Sequence, residues 1–305
     1  MRTILFHACL AFFGPTPATP SSGKSHFVER DGQRVHVWEK LPDGWKAEPK
    51  AVRRVAVFVH GATWSGRPDF DLQIRDYSVM DHFVQNGWGA YSIDMQGYGA
   101  SDDPVGENWC EAKDAALDIA AAVEWICAAN GVEQVHLLGW SWGCQTAGLY
   151  AEAHPERVAK FVMQGGHYET KFDRPAPQQR FRINDAEGAA SDFIEGCYEQ
   201  DVVDLYVKDC LLHDPATPNG IIRDFLATSE PLLTPEKLSM PVLMILGEHE
   251  TSPERLADLG NYFAKLGSRH KQLMVLPGGG HAILLEKPHK RWQNLVRRFF
   301  EEDWN

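Results

Sequence analysis

A serine flanked by glycines stands near the middle of the chain. Residues 139–143 read Gly-Trp-Ser-Trp-Gly, which matches the pattern G-x-S-x-G. The motif follows the apolar stretch Val135–Leu138 and opens a helix-like stretch after Trp142. A sharp turn between strand and helix would strain the backbone of Ser141 and expose its hydroxyl at the positive end of a helix. We predict that Ser141 is a nucleophile; the alternative is an ordinary capping serine.

A serine hydroxyl needs a base to take its proton. His281 is the predicted base, because it follows three consecutive glycines in the loop after the last predicted strand. Consecutive glycines cost backbone entropy and add nothing to a core, so they indicate close packing or an unusual turn. The alternative is a histidine on a surface loop.

The base in turn needs a carboxylate that fixes its tautomer and stabilises the imidazolium. The loop after the predicted strand Val242–Leu246 contains Glu248 and Glu250, and it gives the chain order serine, acid, histidine. Glu250 lies farther into the loop and is the predicted acid. Glu248 could also serve as the acid but is expected to make supporting hydrogen bonds, and an acid elsewhere in the chain is the other alternative.

The oxyanion formed by attack on a carbonyl needs preorganised N–H donors. One is predicted at Trp142, directly after the nucleophile, and the other at Ala62, in the loop that begins His60-Gly61. Thr63 is the alternative second donor. A simple turn at the end of a strand would also explain the His-Gly pair.

Tryptophans adjoin these elements. Trp64 and Trp140 are predicted to line a substrate pocket together with Trp142, since ligand pockets are mostly apolar and aromatic. Packing in the core is the competing interpretation of these indoles. The pocket would suit a small or medium substrate.

The elements that position these residues alternate along the chain. Strands are predicted at 26–30, 34–39, 55–59, 89–94, 135–138, 158–163, 242–246 and 272–276, and helices at 72–87, 111–129, 142–154, 253–266 and 288–302. Continuous apolar runs such as Val55–Val59 are typical of strands buried on both faces. The pattern predicts an α/β fold with a mostly parallel sheet flanked by helices.

One segment interrupts the alternation and divides the chain. Residues 168–239 contain helical stretches at Ala189–Tyr198 and Val202–Leu212 among prolines, with no convincing strand. We predict a helical cap inserted into a core formed by 26–167 and 240–305. Residues 1–25 are expected to be a flexible leader; a signal segment and a misassigned start codon are the alternatives.

Composition excludes several classes. The 305 residues have a formal net charge of −12, which opposes general attraction to nucleic acid or anionic membranes. After the leader, no run approaches the ~20 apolar residues of a membrane span. The six cysteines show no C-x-x-C pair and no zinc-binding spacing. Cys127 and Cys144 are expected to be buried thiols within helices, and a disulfide framework is the alternative. We expect no cofactor, no metal, a small-molecule substrate and a cytoplasmic location, or secretion if the leader is a signal.

Five motifs occur in an order that carries a family resemblance: His60-Gly61, the run 94–101, the run 139–143, the run 247–250 and Gly280-His281. From about His26 onward, the chain resembles the α/β-hydrolase superfamily. The resemblance implies that Asp94 and the glycines after it shape a turn beside the site and are not catalytic. Glu250 stands where the family more often has aspartate.

The serine elbow is similar to that of proline iminopeptidases, with which it shares the following run 150–157. The first loop lacks the His-Gly-Gly-Pro run of those enzymes, so that activity is not inferred. Haloalkane dehalogenases and epoxide hydrolases of this fold use an aspartate at the elbow. This chain has Ser141 at that position, so neither activity is expected.

Three functions compete. The first is hydrolysis of a carboxylic ester, lactone or thioester through an acyl-enzyme. The second uses the same three residues to cleave a C–C or amide bond, and the third is a ligand-binding protein with slow turnover. The complete serine, glutamate and histidine set favours the first.

Overall fold

The computed structural model describes residues 22–47, 53–168, 175–227 and 232–303. Ten strands are described: β1 Lys24–Arg30, β2 Gln33–Lys40, β3 Val55–Val59, β4 Gly89–Asp94, β5 Val135–Trp140, β6 Val158–Gln164, β7 Phe181–Ile183, β8 Ala216–Pro218, β9 Val242–Gly247 and β10 Lys271–Leu276. The described helices are α1 Gly66–Phe70, α2 Val79–Gln85, α3 Ala112–Asn130, α4 Gly143–Ala153, α5 Ala186–Ala190, α6 Gln200–His213, α7 Gly220–Ala227, α8 Pro253–Lys265 and α9 His289–Glu301.

Eight strands form one sheet in the order β1-β2-β4-β3-β5-β6-β9-β10. The hairpin β1–β2 is antiparallel and pairs antiparallel with β4. From β4 to β10 the neighbouring strands run parallel. The predicted α/β class and the mostly parallel sheet are therefore confirmed.

Helices cover both faces of this sheet. In β3, Val57 packs into a core with α3, α4 and α8, whereas the next residue, Phe58, packs into a second core with α2 and α9. Successive side chains of a strand point to opposite faces. A strand covered on both sides must therefore be apolar at every position, which explains the continuous run Val55–Val59.

The predicted helix at 72–87 is too long. Only α2 forms, and it begins where the Ser78 hydroxyl accepts a hydrogen bond from the Asp81 amide at 2.9 Å. Arg75, three residues earlier, has φ of 46°, which a right-handed helix does not contain. The apolar residues of 72–87 keep a helical spacing although the backbone turns at Arg75. Their spacing therefore does not reveal the turn.

The segment between β6 and β9 differs from the prediction in two ways. Strands β7 and β8 form an antiparallel pair, where the sequence indicated no strand. The predicted helix Ala189–Tyr198 is wrong as well. Helix α5 ends at Ala190, and the chain then turns through Gly196 at φ of 87°. Helix α6 agrees with the predicted Val202–Leu212 within a few residues.

The predicted leader overlaps the fold at its end. Strand β1 begins at Lys24, which pairs with Glu39 of β2, so this part of the expected leader is ordered by the sheet. Residues 1–21 lie outside the described part of the chain. Within the described ranges, no helix combines the length and the apolar character that crossing a membrane requires.

Backbones approach closely where β5 meets α4. A Cβ atom added at Gly139 would lie 2.2 Å from the Gly143 carbonyl oxygen, and one added at Gly143 would lie 2.4 Å from the Val59 carbonyl oxygen. Neither oxygen can move without breaking the sheet or the helix. The two glycines of the motif are therefore required by packing, and they bring the start of α4 against the end of β3.

Replacing Gly139 with alanine should destabilise the protein by about 1–3 kcal/mol, because the new methyl group overpacks rigid backbone. Urea unfolding measures the change. Gly260 is the matched control, since a Cβ there meets nothing within 4 Å inside α8, and Gly260→Ala should raise stability by about 0.5–1 kcal/mol. Equal unfolding free energies for the two variants would contradict this account of the motif.

Candidate active site

Ser141 lies at the turn between β5 and α4 with φ of 57°. This left-handed conformation is uncommon for a residue with a side chain and is found where surrounding structure enforces it. The Ser141 amide donates a hydrogen bond of 2.8 Å to the Gln164 carbonyl, and the Ser141 carbonyl accepts one of 2.9 Å from the Cys144 amide. The turn is thus held on both sides, and the strain predicted from the motif is present.

His281 and Glu250 are joined by a hydrogen bond of 2.6 Å between Nδ1 and Oε1. Burial by itself raises the pKa of Glu250, but the bond to His281, the Arg255 charge and the Gly247 amide outweigh burial and hold that pKa below its usual value. The carboxylate is therefore ionised and must accept. Nδ1 of His281 then carries the proton, and Nε2 is left as the basic nitrogen.

The same contact sets the basicity of His281. Burial lowers the pKa of this imidazole, yet the hydrogen bond and charge of Glu250 more than compensate, so the pKa is raised above its ordinary value. A raised pKa makes the neutral ring a better proton acceptor.

Ser141 and His281 line the same cavity. No hydrogen bond joins their side chains within the described part of the chain. Catalytic hydrogen bonds are often long or poorly aligned before substrate binds. The two groups share one space on one edge of the sheet, which is the arrangement that proton transfer between them needs.

Glu248 has the supporting position expected of it. Its carboxylate accepts a hydrogen bond of 3.0 Å from the Gly278 amide, at the start of the glycine run. A Cβ atom at Gly247 would lie 2.3 Å from the Gly280 carbonyl oxygen. The glycines before His281 therefore allow its loop to lie directly against the end of β9, which brings the histidine to Glu250.

The loop after β3 is fixed by His60. Its Nε2 accepts a hydrogen bond of 3.1 Å from the Met95 amide, so Nδ1 carries the proton and donates to the Gly61 carbonyl at 2.9 Å. Burial lowers the pKa of His60 to about 4, which keeps the ring neutral. In a trans peptide the next N–H points opposite the carbonyl. The Ala62 amide is thereby aimed away from His60.

The Ala62 carbonyl is held as well, by the Tyr98 hydroxyl at 2.8 Å and by Nη2 of Arg182 at 2.7 Å. Neither the Ala62 amide nor the Trp142 amide has an acceptor within the described ranges. Both residues line the cavity that contains Ser141. These two amides are the donors that the sequence predicted for an oxyanion.

The cavity has a volume of about 520 Å³. Its apolar lining comes mainly from α7: Trp142, Ile221, Ile222, Phe225 and Leu226. Its polar lining consists of Thr63, Gln145, His167, Arg182, Asp192 and Arg255. Oε1 of Gln145 is buried there with no partner in the described part of the chain. The space suits a partly apolar molecule with a polar end.

Trp64 and Trp140 do not line this main cavity. They border an adjoining recess of about 60 Å³ that also reaches Ser141 and His281, and both are almost fully buried, at 3% and 2% exposed. Nε1 of Trp140 donates to the His281 carbonyl at 3.0 Å. Trp142 is the tryptophan on the main cavity wall, and contact of the other two with substrate stays a prediction.

Several polar residues of the cavity were missed from the sequence. Arg182 and Asp192 come from the segment between β6 and β9, whose sequence has no recognisable motif. Arg255 lies in the first turn of α8, and its Nη1 donates to His167 at 2.6 Å. The position of Arg255, five residues after Glu250, was the one available signal, since a cation beside a predicted acid is expected to lower the pKa of that acid.

The order of the sheet, the strained serine after β5 and the histidine after β10 together define an α/β-hydrolase. The family model described as serine aminopeptidase, S33, matches residues 50–288. The chain belongs to this family of α/β-hydrolases.

A 2-hydroxy-6-oxononadienedioate/2-hydroxy-6-oxononatrienedioate hydrolase from Paraburkholderia phymatum is 33% identical over 116 residues, which is 38% of this chain and 37% of that protein. The match therefore spans little more than a third of the curated relative.

An esterase from Exiguobacterium antarcticum superposes with a TM-score of 0.67 at 16% identity, covering 92% of this chain and 100% of the esterase. A thioesterase domain from the curacin biosynthetic pathway gives a TM-score of 0.63 at 13% identity, covering 91% and 100%. Both structural matches show the shared fold.

Glu250→Gln should lower kcat/KM by about 10²–10⁴-fold, because the neutral amide neither fixes the tautomer nor stabilises the imidazolium. Activity should fall at low pH, because the base becomes protonated there. Since Glu250 raises the pKa of His281, its removal should also move this acid limb to lower pH. The pH profile of kcat/KM measures both effects.

Glu248→Gln is the matched control, and its acid limb should stay where it is in the unchanged protein. If Glu248→Gln moved the limb and Glu250→Gln did not, the assignment of the acid would have to be reversed.

Proposed function

We propose that the protein is a serine hydrolase that cleaves a carboxylic ester, lactone or thioester through an acyl-enzyme. Ser141 is the nucleophile, His281 the base and Glu250 the acid. One observation carries the proposal: a strained serine, a histidine bonded to an ionised carboxylate and two unused amides all border a single cavity.

The reaction follows from these positions. Oγ of Ser141 attacks the carbonyl carbon while Nε2 of His281 takes its proton, and Glu250 stabilises the imidazolium. The Ala62 and Trp142 amides bind the oxyanion. The imidazolium then protonates the leaving group, and a water molecule, deprotonated by the same ring, releases the acid and frees Ser141.

The cavity supports a small to medium, partly apolar substrate. Its volume of about 520 Å³ lies within the usual range for small-molecule sites. Ile222 and Phe225 of α7 would pack against an apolar acyl or alcohol group. The polar lining residues would bind the hydrogen-bonding end of the molecule.

The charge of Arg182 supports an anionic end. Its guanidinium donates to four neutral acceptors, the Pro218 and Ala62 carbonyls and the side chains of Asn219 and Thr63. No carboxylate pairs with Arg182 in the described part of the chain. A substrate carboxylate at this wall would supply the missing counter-ion.

C–C bond hydrolysis by the same three residues is the second candidate. The curated relative from P. phymatum is named as the hydrolase of a dioate, and a carboxylate-bearing substrate agrees with Arg182. Assay of a vinylogous 1,5-diketone acid beside the matching ester separates the two. Faster turnover of the diketone would favour this candidate over the ester hydrolase.

Ser141→Ala should reduce turnover of short p-nitrophenyl esters by at least about 10³-fold, because removal of a nucleophile leaves only binding and oxyanion stabilisation. Initial rates at fixed substrate measure the loss. Ser191→Ala is the control, since Ser191 is exposed and its hydroxyl bonds only the Gly188 carbonyl. Undiminished turnover in Ser141→Ala would refute the proposed nucleophile.

Arg182→Gln should lower kcat/KM for a hemi-ester of a dicarboxylic acid by about 10–100-fold, the effect of losing a charged hydrogen bond. A neutral ester of equal length should lose less, because glutamine can still donate to the Ala62 carbonyl. Arg223→Gln, which removes an exposed cation paired with Glu111, is the control. Equal losses for both substrates would show that Arg182 only positions the oxyanion loop.

A further inference from the structure

Ser25 of β1, His36 of β2 and Asp94 of β4 form a second hydrogen-bonded row of serine, histidine and aspartate. This row lies away from the cavity that contains Ser141. The hydroxyl oxygen of Ser25 is 2.9 Å from Nε2 of His36, and Nδ1 of the same ring is 2.7 Å from Oδ2 of Asp94. These contacts join the atoms in the order used by serine nucleophiles, with the base between the hydroxyl and the carboxylate.

The proton positions in this row follow from Asp94. Its carboxylate also accepts the Gly66 amide at 2.9 Å and the Ala100 amide at 3.1 Å. Burial raises the pKa of Asp94, but the contacts with His36 outweigh burial and leave that pKa below its usual value. An ionised Asp94 can only accept, so Nδ1 of His36 carries the proton and Nε2 accepts from Ser25.

In this row the histidine and the aspartate are buried and the serine is exposed, which is what a reactive hydroxyl requires. His36 and Asp94 are 1% and 2% exposed, so their mutual contact is shielded from water. Ser25 is exposed on β1, the outer strand of the sheet. Ser25 thus lies at the surface of the protein, whereas the base and its carboxylate are buried.

A separate cavity of about 370 Å³ lies beside Trp38, the cross-strand partner of Ser25, although Ser25, His36 and Asp94 do not line it. Its lining also includes Lys40 and Arg67, and the carboxylates of Asp71 and Asp81 pair with Lys40. The Arg67 guanidinium stacks over the Trp38 ring at 4.3 Å. A small acyl or phosphonyl group on Ser25 would lie on the same face of the hairpin as the Trp38 side chain.

We propose that Ser25, His36 and Asp94 form a second nucleophilic site, at which activated acyl or phosphonyl donors modify Ser25 covalently. Oγ of Ser25 forms the new bond to the carbonyl carbon or phosphorus, and the phenolate, thiolate or fluoride of the donor leaves. Nε2 of His36 takes the hydroxyl proton, and Asp94 stabilises the resulting imidazolium.

The expected outcome is stoichiometric modification. Ser25 stands on an exposed strand, where the oxyanion meets solvent and not the rigid pair of amides found near Ser141. Oxyanion donors supply several kcal/mol in such reactions, roughly 10²–10³-fold in rate for a single donor. Ser25 should therefore react more slowly than Ser141 and only with donors that have good leaving groups.

Fluorophosphonate labelling in the Ser141→Ala variant tests the proposal directly. Trypsin cleaves after Lys24 and Arg30 and releases the peptide 25–30, whose mass should rise by the phosphonyl group. The label should disappear in Ser141→Ala/Ser25→Ala and fall at least tenfold in Ser141→Ala/His36→Gln. Absence of label on this peptide, at reagent doses a hundredfold above those that saturate the unchanged protein, would overturn the proposal.

A thiol at the same position gives a readout independent of label chemistry and of Ser141. Ser25→Cys should be alkylated by iodoacetamide at pH 6.5 at least tenfold faster than Ser22→Cys, because the imidazolium of His36 stabilises the thiolate. Ser22 is also exposed and lies three residues before Ser25 in the sequence. Identical pH profiles for the two thiols, in variants with unchanged thermal unfolding, would show that the row only braces β1 and β2.

Discussion

The contact between Glu250 and His281 is the interaction on which the proposed chemistry depends. It gives the ring one tautomer, raises its pKa and turns Nε2 toward the cavity shared with Ser141. Much of the surrounding structure serves this contact. The glycines at 278–280 let the histidine loop lie on the end of β9, and Arg255 adds a positive charge beside the carboxylate. A buried carboxylate of this kind is stabilised by its hydrogen bonds and by a nearby cation.

The oxyanion loop connects the sheet to the segment that covers it. His60 donates a hydrogen bond to the Gly61 carbonyl, and Arg182 of β7 donates one to the Ala62 carbonyl. Asp214, at the end of α6, also accepts hydrogen bonds from the Ser65 amide and hydroxyl. The loop is thus positioned by residues on both sides, so its two amides need little reorganisation when charge develops.

The sequence predicted the sheet and the three proposed catalytic residues because each had a strong local signal. Apolar runs such as Val55–Val59 specify buried strands, and the glycines around Ser141 and before His281 mark backbones in contact. The pocket was predicted less well. Arg182 and Asp192 reach the site through tertiary packing of a segment without a motif, and neither has a neighbour in sequence that signals a role. The helix predicted at 72–87 failed for a related reason, since the positive φ of Arg75 has no signature in its side chain.

The central claim is that an acyl group resides on Ser141 between two proton transfers through His281. Acid quenching of the protein during turnover of an activated ester, followed by peptide mass mapping, tests it most directly. The account predicts one acyl group on the peptide containing Ser141, formed in the first turnover and absent after the ester is exhausted. Steady turnover with no acyl group on that peptide, or with the acyl group on another residue, would contradict it.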